Sequence, residues 1–259
     1  MFLFMCKVIC AFFSEPTNAG KTIPPCLFPY VVDELRVQHS VLASVQPKCL
    51  LLTALNSIRD NILMKIRKMG LDVDIVTSGN VNDLTKSKKI RILLISPEML
   101  SLKSVVQSLM SIREDIVIKC IDEAHLFLRW GMDRSKLEKG FRPAMKLSSG
   151  ELACLGGFTL LQTATASFKT VTMLKAEFPE IKNWRQVSSV PYRDNVVIIV
   201  PPPSLVSSKF QHTLEPFISQ IMDHDETHLI LVRSINFGTE VYFHLVRRIG
   251  KNNVAFFHR

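Results

Sequence analysis

Short runs of apolar and β-branched residues alternate with amphipathic stretches along most of the chain. Apolar residues at helical spacing predict helices at 56–70, which ends on Gly70, and at 101–115. Strands that are apolar throughout and separated by helices are typical of a parallel sheet with both faces covered, so the pattern predicts an α/β fold. The apolar runs that predict strands lie at 7–13, 48–54, 72–78, 91–96, 115–121 and 158–164.

A second, shorter series of elements follows the segment SSVPYRDN at 188–195. Its 66 residues, 194 to 259, are few for a complete α/β domain. We therefore predict a first domain over 1–190 and a hinge with a partial second domain over 191–259. The predicted elements of the second part are strands at 196–200, 228–234 and 253–257 and helices at 208–223 and 239–250.

The segment SEPTNAGKT, residues 14–22, joins the first predicted strand to a helix-like stretch. Such a turn is where backbone N–H groups gather around phosphates, with Lys21 reaching the β- and γ-phosphates and the Thr22 hydroxyl ligating Mg²⁺. The strict pattern GxxxxGK[ST] is not met, because Glu15 stands at the first glycine position. Taken alone, the segment is also compatible with an ordinary turn carrying a surface lysine. The residues expected to hold the phosphates are Thr17, Asn18, Ala19, Gly20, Lys21 and Thr22.

Two adjacent carboxylates, Asp122 and Glu123, follow another predicted strand in VIKCIDEAHLFLRWG, residues 117–131. Neighbouring carboxylates repel each other unless a cation or a proton lies between them. In open α/β sheets ligands bind at the carboxyl ends of the strands, so this segment and Lys21 can meet over one nucleotide. Asp122 would hold the Mg²⁺ shell, Glu123 would orient the attacking water, and His125 would sense the γ-phosphate or the neighbouring domain. The alternative is a solvated acidic turn.

Charge narrows the choice of partner. Lys and Arg number 32 against 23 Asp and Glu, a net charge of +9, which favours polyanions, nucleic acid first and anionic membrane second. No apolar segment approaches the ~20 residues that cross a bilayer, so we expect no membrane span. The six cysteines show no zinc spacing and indicate a reduced, intracellular protein.

Several motifs, in this order, resemble those of superfamily 2 helicases. PTNAGKT, IDEAH and QTATAS (162–167) carry the general likeness. The details resemble the RecQ family of DNA helicases, because Trp130-Gly131 and then FRPAM (141–145) look like that family's aromatic-rich loop. LLTALNSIRDNI (51–62), LLISPEML (93–100), SSVPYRDNV and HLILVRSINFGTEVYFHLVRRI resemble further RecQ segments, so that the likeness covers nearly the whole chain.

The resemblance implies a RecA-like P-loop sheet followed by a partial second RecA-like domain, with ATP and Mg²⁺ as ligands. It implies an enzyme that couples ATP hydrolysis to 3′-to-5′ movement along single-stranded or partly duplex DNA, in nuclear DNA repair and recombination. Thr163 and Thr165 would relay the nucleotide state to the DNA groove. Trp130, Phe141 and Arg142 would couple DNA contact to hydrolysis, by base stacking and phosphate pairing.

The chain also departs from the RecQ pattern. Residues Arg134–Gly140 are extra within the aromatic-rich loop, and Met132 stands where the family usually carries histidine. The chain ends at AFFHR, before the family's last two motifs and their arginine finger, a group worth about 10³–10⁵ in rate. We therefore expect nucleotide binding with poor hydrolysis. Two alternatives remain open: a non-catalytic helicase-like module that binds ATP and nucleic acid, and an RNA-directed superfamily 2 helicase.

Overall fold

A computed structural model of the chain describes residues 9–14, 20–39, 46–131, 141–178, 183–188, 210–223, 228–232 and 234–257. The chain divides into two compact units, Met1–Tyr192 and Arg193–Arg259. This division falls beside the boundary that the sequence predicts between 190 and 191.

In the described part of the first unit, seven strands form one sheet in which every neighbouring pair is parallel. They are β1 (Ile9–Ser14), β2 (Lys48–Leu52), β3 (Val73–Ile75), β4 (Ile92–Ile95), β5 (Ile116–Ile121), β6 (Phe158–Thr163) and β7 (Asn183–Ser188). Their order across the sheet is β3-β4-β2-β5-β6-β1-β7. The parallel α/β fold predicted from the sequence is confirmed, as are the six predicted strands of this unit, whereas β7 was not predicted.

Helices connect the strands and cover both faces of the sheet. A π-helical turn, Phe127–Gly131, follows β5 closely, and a short 3-10 turn, Lys251–Asn253, follows the last helix. No helix among the described residues is both long and apolar enough to cross a bilayer. The α-helices of the described segments are α1 (Ile23–His39), α2 (Asn56–Lys68), α3 (Val81–Lys86), α4 (Pro97–Leu100), α5 (Lys103–Met110), α6 (Ala144–Cys154), α7 (Phe168–Glu177), α8 (Phe210–Asp223) and α9 (Ile235–Ile249).

The core of the first unit lies on both faces of the sheet, because successive side chains of a strand point to opposite sides. Leu51 of β2 packs in one buried cluster with Cys26 of α1 and Ile66 of α2. Its neighbour Leu52 packs in the other cluster, which includes Leu109 of α5. Burial on both faces explains why the strands are apolar at every position instead of alternating.

The strand order also decides where the predicted functional segments meet. β1 leads into the Lys21 turn and β5 leads into the Asp122 turn, and β6 lies between these two strands. Because all three strands are parallel, their carboxyl ends share one edge of the sheet. The residues that end β6 therefore lie between the two turns.

The second unit contains a packed helical pair. Ile218 of α8 contacts Val241 and Leu245 of α9 in a small buried cluster. Gly238 allows a close approach inside this unit, since a Cβ there would lie 2.8 Å from the ring of Phe256.

The strands predicted at 228–234 and 253–257 are wrong for the described residues of those segments, 228–232, 234 and 253–257, none of which is in a strand. Apolar alternation reports only where side chains could be buried, whereas a strand also needs a hydrogen-bonded neighbour. Leu229 and Leu231 remain almost fully exposed in this extended segment. The strand predicted at 196–200 lies outside the described residues.

Candidate functional site

The first part of the site is the turn between β1 and α1. Gly20 has a φ of +76°, a conformation that glycine adopts at little cost, and its carbonyl accepts a hydrogen bond from the Ile23 N–H at 2.9 Å. Lys21 is only 9% exposed, and its carbonyl accepts a hydrogen bond from Nε2 of Gln162 at 2.6 Å. Thr22 is half-buried beside it. The remaining predicted phosphate-binding residues, Thr17, Asn18 and Ala19, lie outside the described residues.

The second part is the acidic turn after β5. The Asp122 N–H donates to the Leu52 carbonyl at 3.0 Å, which extends the pairing of β5 with β2 by one residue. Glu123 then turns the chain out of the sheet with a φ of +50°, and its N–H donates to Oδ1 of Asp122 at 3.0 Å. A non-glycine residue with positive φ is uncommon and is often found at functional sites.

Electrostatic coupling joins the two turns. Burial and the adjacent charge of Glu123 raise the pKa of Asp122, and the positive charge of Lys21 opposes that rise. The hydrogen bond from His125 lowers the pKa of Glu123, and the charge of Lys21 lowers it further. Lys21 therefore acts on both carboxylates, and the structure brings the two predicted turns together at the carboxyl ends of parallel strands in one sheet. A buried carboxylate beside a like charge is an environment that a bound cation would stabilise.

Hydrogen bonds connect the acidic turn to the residues after β6. Nδ1 of His125 lies 3.2 Å from Oε2 of Glu123 and 2.8 Å from Oγ1 of Thr163. The Thr165 N–H donates to the same Thr163 oxygen at 3.1 Å. A continuous chain of polar contacts thus runs from the Glu123 carboxylate to Thr165, which is exposed. This geometry allows the predicted relay through Thr163 and Thr165, whose role stays a prediction.

One residue of the site was not predicted. Gln162 is the next-to-last residue of β6 and is 0% exposed, and its carbonyl accepts a hydrogen bond from the Ala124 N–H at 2.8 Å. The sequence signal was present, because Gln162 is a polar residue at the end of the apolar run FTLL. Its contacts on both sides could not be predicted without the order of the strands.

The predicted aromatic-rich loop brings Trp130 and Phe141 together. Their rings meet edge to face with centroids 5.7 Å apart, and the Arg142 N–H donates to the Trp130 carbonyl at 2.6 Å. Trp130 packs partly against the core, whereas Phe141 is 78% exposed. Phe141 therefore presents a ring surface to solvent on a backbone that is tied to Trp130. The loop residues 132–140 lie outside the described residues.

The Arg142 side chain differs from the expectation of a phosphate contact. Its guanidinium forms a two-pronged ion pair with Glu98 of α4, with Nε to Oε1 at 2.5 Å and Nη2 to Oε2 at 2.7 Å, and Nη1 donates to the Ala54 carbonyl. Burial raises the pKa of Glu98, but the hydrogen bonds and charge of Arg142, together with hydrogen bonds from the Glu98 backbone and Ser96, outweigh burial and hold that pKa below its usual value. In this state the guanidinium binds protein groups, and it links the aromatic-rich loop to the segments that follow β2 and β4.

The donor set fits a nucleotide-bound Mg²⁺ better than a metal held by protein alone. Among the described residues, no group of three or more His, Cys, Asp or Glu could hold a metal ion. Mg²⁺ commonly takes one or two protein oxygens and completes its shell with phosphate and water. The desolvated Asp122 carboxylate and the Thr22 hydroxyl would be those two oxygens.

Solved structures with a similar fold include helicases. The crystal structure of the DUF1998 helicase MrfA bound to DNA matches with a TM-score of 0.60 and 14% identity, over 96% of this chain and 36% of that chain. MrfA bound to DNA and AMPPNP gives 0.60 and 13%, over 96% and 35%, and MrfA alone gives 0.54 and 15%, over 97% and 37%. The chain thus spans about a third of the length of these structures.

Comparison by sequence finds no matching family model and no matching curated protein. Structural matches with TM-scores of 0.54 to 0.60 at 13% to 15% identity establish the fold and not the activity. The first unit accordingly has the RecA-like fold, a parallel α/β sheet like that of helicase ATP-binding domains.

Proposed function

We propose that this chain is the ATP-binding part of a RecQ-like DNA helicase, which hydrolyses ATP to move 3′ to 5′ along single-stranded DNA. The observation that carries the proposal is the meeting of the Lys21 turn and the Asp122–Glu123 turn at the carboxyl edge of the sheet, where Gln162 is hydrogen-bonded to both segments. The similar fold of MrfA, a helicase crystallised with DNA and AMPPNP, supports it. The RecQ assignment and the direction of movement rest on the motif pattern, and a nuclear location is part of the same proposal.

The side chains of the site suit distinct roles in phosphoryl transfer. Bound ATP·Mg²⁺ would supply the γ-phosphoryl group and most of the charge neutralisation. Lys21 adds a positive charge at the phosphates, and Asp122 and Thr22 offer oxygens to the metal ion. The hydrogen bond from His125 lowers the pKa of Glu123 and so favours its ionised form, which can orient and polarise an attacking water.

Contact with DNA is assigned to Phe141 rather than to Arg142. The exposed Phe141 ring can stack on a base, an interaction worth roughly 1–3 kcal/mol. Arg142 would have to leave Glu98 before it could pair with a phosphate. The basic balance of the chain, +9, favours approach of the polyanion.

The nucleotide assignment is tested by replacing Lys21. We expect Lys21→Ala to abolish retention of the chain on ATP-agarose in the presence of Mg²⁺, because the turn loses the charge that faces the phosphates. The matched control is Lys89→Ala, since Lys89 is a largely exposed lysine elsewhere on the same unit. Equal retention of Lys21→Ala and the parent chain would refute the assignment.

The role of Glu123 is tested by Glu123→Gln, which keeps the shape of the side chain but removes its charge. Nucleotide binding should remain while any hydrolysis, measured as released phosphate, is lost. Hydrolysis at the parent rate would show that Glu123 does not activate the water.

One observation favours the alternative of a non-catalytic module that binds ATP and nucleic acid. The ion pair of Arg142 with Glu98 occupies the guanidinium that was predicted to couple DNA contact to hydrolysis. Strand-separation assays on the parent chain and on Glu98→Gln would distinguish the two, because only a coupled motor gains or loses unwinding when this pair opens. Competition between single-stranded DNA and RNA of one sequence would decide whether the enzyme is directed to RNA.

A further inference from the structure

We propose that Gln162 is a positioning residue, which fixes the peptide between Lys21 and Thr22 against the acidic turn and thereby sets the affinity for the nucleotide phosphates. The inference rests on the proposed nucleotide site. It concerns a residue that neither binds the nucleotide nor takes part in the chemistry.

The position of Gln162 in the sheet makes this role possible. β6 is the strand between β1 and β5, so its last residues lie between the two turns of the site. On one side the Gln162 carbonyl accepts the Ala124 N–H at 2.8 Å. On the other side its Nε2 donates to the Lys21 carbonyl at 2.6 Å, across 141 residues of sequence. A single residue thus ties together the two segments that must share one phosphate group.

The hydrogen bond from Gln162 to the Lys21 carbonyl also orients the Thr22 N–H, which belongs to the same peptide group. A peptide group is planar and trans, so its C=O and N–H point in opposite directions. Holding the Lys21 carbonyl toward Gln162 therefore turns the Thr22 N–H away from Gln162, just ahead of the first residue of α1. N–H groups at the start of a helix are the donors that bind phosphate.

Burying the Gln162 amide costs free energy, which indicates that a contribution to stability alone does not explain a glutamine at this position. Gln162 is completely buried, and its Oε1 has no hydrogen-bond partner among the described residues. A buried acceptor without a partner is unfavourable, whereas an apolar residue of similar size would leave only the Lys21 carbonyl to be satisfied. We therefore expect removal of the amide to weaken ligand binding without weakening the fold.

The test compares Gln162→Leu with the parent in the full chain. Affinity is measured by fluorescence titration with N-methylanthraniloyl-ATP and Mg²⁺, and stability by the thermal unfolding midpoint. The loss of one hydrogen bond predicts binding about 3- to 10-fold weaker for Gln162→Leu. The unfolding midpoint should be unchanged or higher.

Two further variants sharpen the result. In Gln162→Glu the ionised carboxylate cannot donate to the Lys21 carbonyl and adds a negative charge beside the phosphate-binding turn, so its loss of affinity should exceed that of Gln162→Leu. Thr159→Val is the matched control, because Thr159 is a buried polar residue at the opposite end of the same strand. Its nucleotide affinity should equal that of the parent.

Each outcome decides the question. If the parent chain itself does not bind the nucleotide, the proposed function fails, and the role of Gln162 fails with it. If the parent binds and Gln162→Leu binds equally well, the nucleotide site stands and the positioning role is overturned. If Gln162→Leu does not fold, or loses affinity only in proportion to stability, Gln162 is structural and the proposal is again overturned.

Discussion

The buried lysines at the two edges of the sheet have different surroundings. At the amino edge, Lys48 at the start of β2 is 0% exposed, and its Nζ donates to the carbonyls of Ser87 and Ile90, each at 2.7 Å. At the carboxyl edge, Lys21 acts on the charges of Asp122 and Glu123. Lys48 is held by backbone hydrogen bonds and also feels the charges of Asp115 and Arg91, whereas Lys21 acts on two adjacent carboxylates.

Among the described residues, buried polar atoms without a partner occur toward the carboxyl edge and also in α6, where Glu151 Oε2 has none. Thr53 Oγ1, just past the end of β2, and Gln162 Oε1, near the end of β6, are buried without a partner among the described residues. Both lie toward the carboxyl edge. Burial of a charge is therefore not in itself a sign of function: Lys48 is more deeply buried than Lys21 and is explained by its hydrogen bonds. Charges that perturb one another beside unpartnered polar atoms are the better indicator of a ligand site.

The largest effect on stability is expected from replacing Lys48 at the amino edge of the sheet. Lys48→Met should lower the free energy of unfolding by about 2–6 kcal/mol, because two partly buried carbonyls lose their donor at roughly 1–3 kcal/mol each. Urea unfolding measures the loss, with the exposed Lys89→Met as control. Nucleotide affinity per folded molecule should not change. A folded Lys48→Met with parent stability would contradict the structural role of this lysine.

The next effect concerns the exposed ring at the carboxyl edge. Phe141→Ala should weaken binding of single-stranded DNA by about 1–3 kcal/mol, since one stacking surface is lost. Stability should change little, because the ring is 78% exposed. Fluorescence anisotropy with a labelled oligonucleotide measures the affinity. Val37→Ala serves as control, since Val37 is an exposed apolar residue near the far end of α1. Equal losses in both variants would argue against a specific contact.

Removing a charge from the acidic turn should raise the free energy of unfolding, whereas the change at Lys48 lowers it. Asp122→Asn keeps the acceptor for the Glu123 N–H but removes a buried like charge, so we expect it to stabilise the fold by about 0.5–2 kcal/mol. Nucleotide binding that depends on Mg²⁺ should weaken at the same time. Urea unfolding and nucleotide titration with and without Mg²⁺ test the two effects, and a destabilised Asp122→Asn would count against the comparison of the edges.

The smallest effect concerns the pair of Glu98 and Arg142. Because Arg142 lowers the pKa of Glu98 in the folded state, the pair contributes stability above the ordinary pKa of glutamate, and that stability is lost as the pH falls through the lowered value. The pair is partly exposed, so Glu98→Gln should cost only about 0.5–1 kcal/mol at neutral pH. Unfolding curves of parent and variant should converge on acidification. A constant difference across the acid range would mean that the charge of Glu98 is not the cause.

The sequence alone predicts the part of the fold that depends on apolar burial. β2, β4, β5 and β6 are apolar runs buried on both faces, so the end of each lies within two residues of its predicted position. β7 reads NWRQVS and was missed, because it pairs only with β1 at the border of the sheet and leaves most of its side chains exposed. In the second unit the opposite error occurs, since Leu229 and Leu231 have the composition of a strand without a neighbouring strand among the described residues.

Some features of the candidate site can be predicted from the sequence and others cannot. The convergence of Lys21 with Asp122 and Glu123 follows from parallel strands that end at one edge, so motif and fold class together predict it. The pairing of Arg142 with Glu98 joins residues 44 positions apart through a loop, which no local pattern encodes. The role of Gln162 depends on which strands flank β6, and that order is also invisible to periodicity.

The place of β1 in the sheet has a consequence for synthesis of the protein. Among the described strands of the unit β1 is made first, yet both of its neighbours, β6 and β7, are made last. Until Ser188 has been translated, β1 has no complete pair of neighbours, and the turn that follows it has no Gln162 to hold it. Nascent chains that stop earlier should therefore expose an unpaired apolar segment to chaperones and should not bind nucleotide.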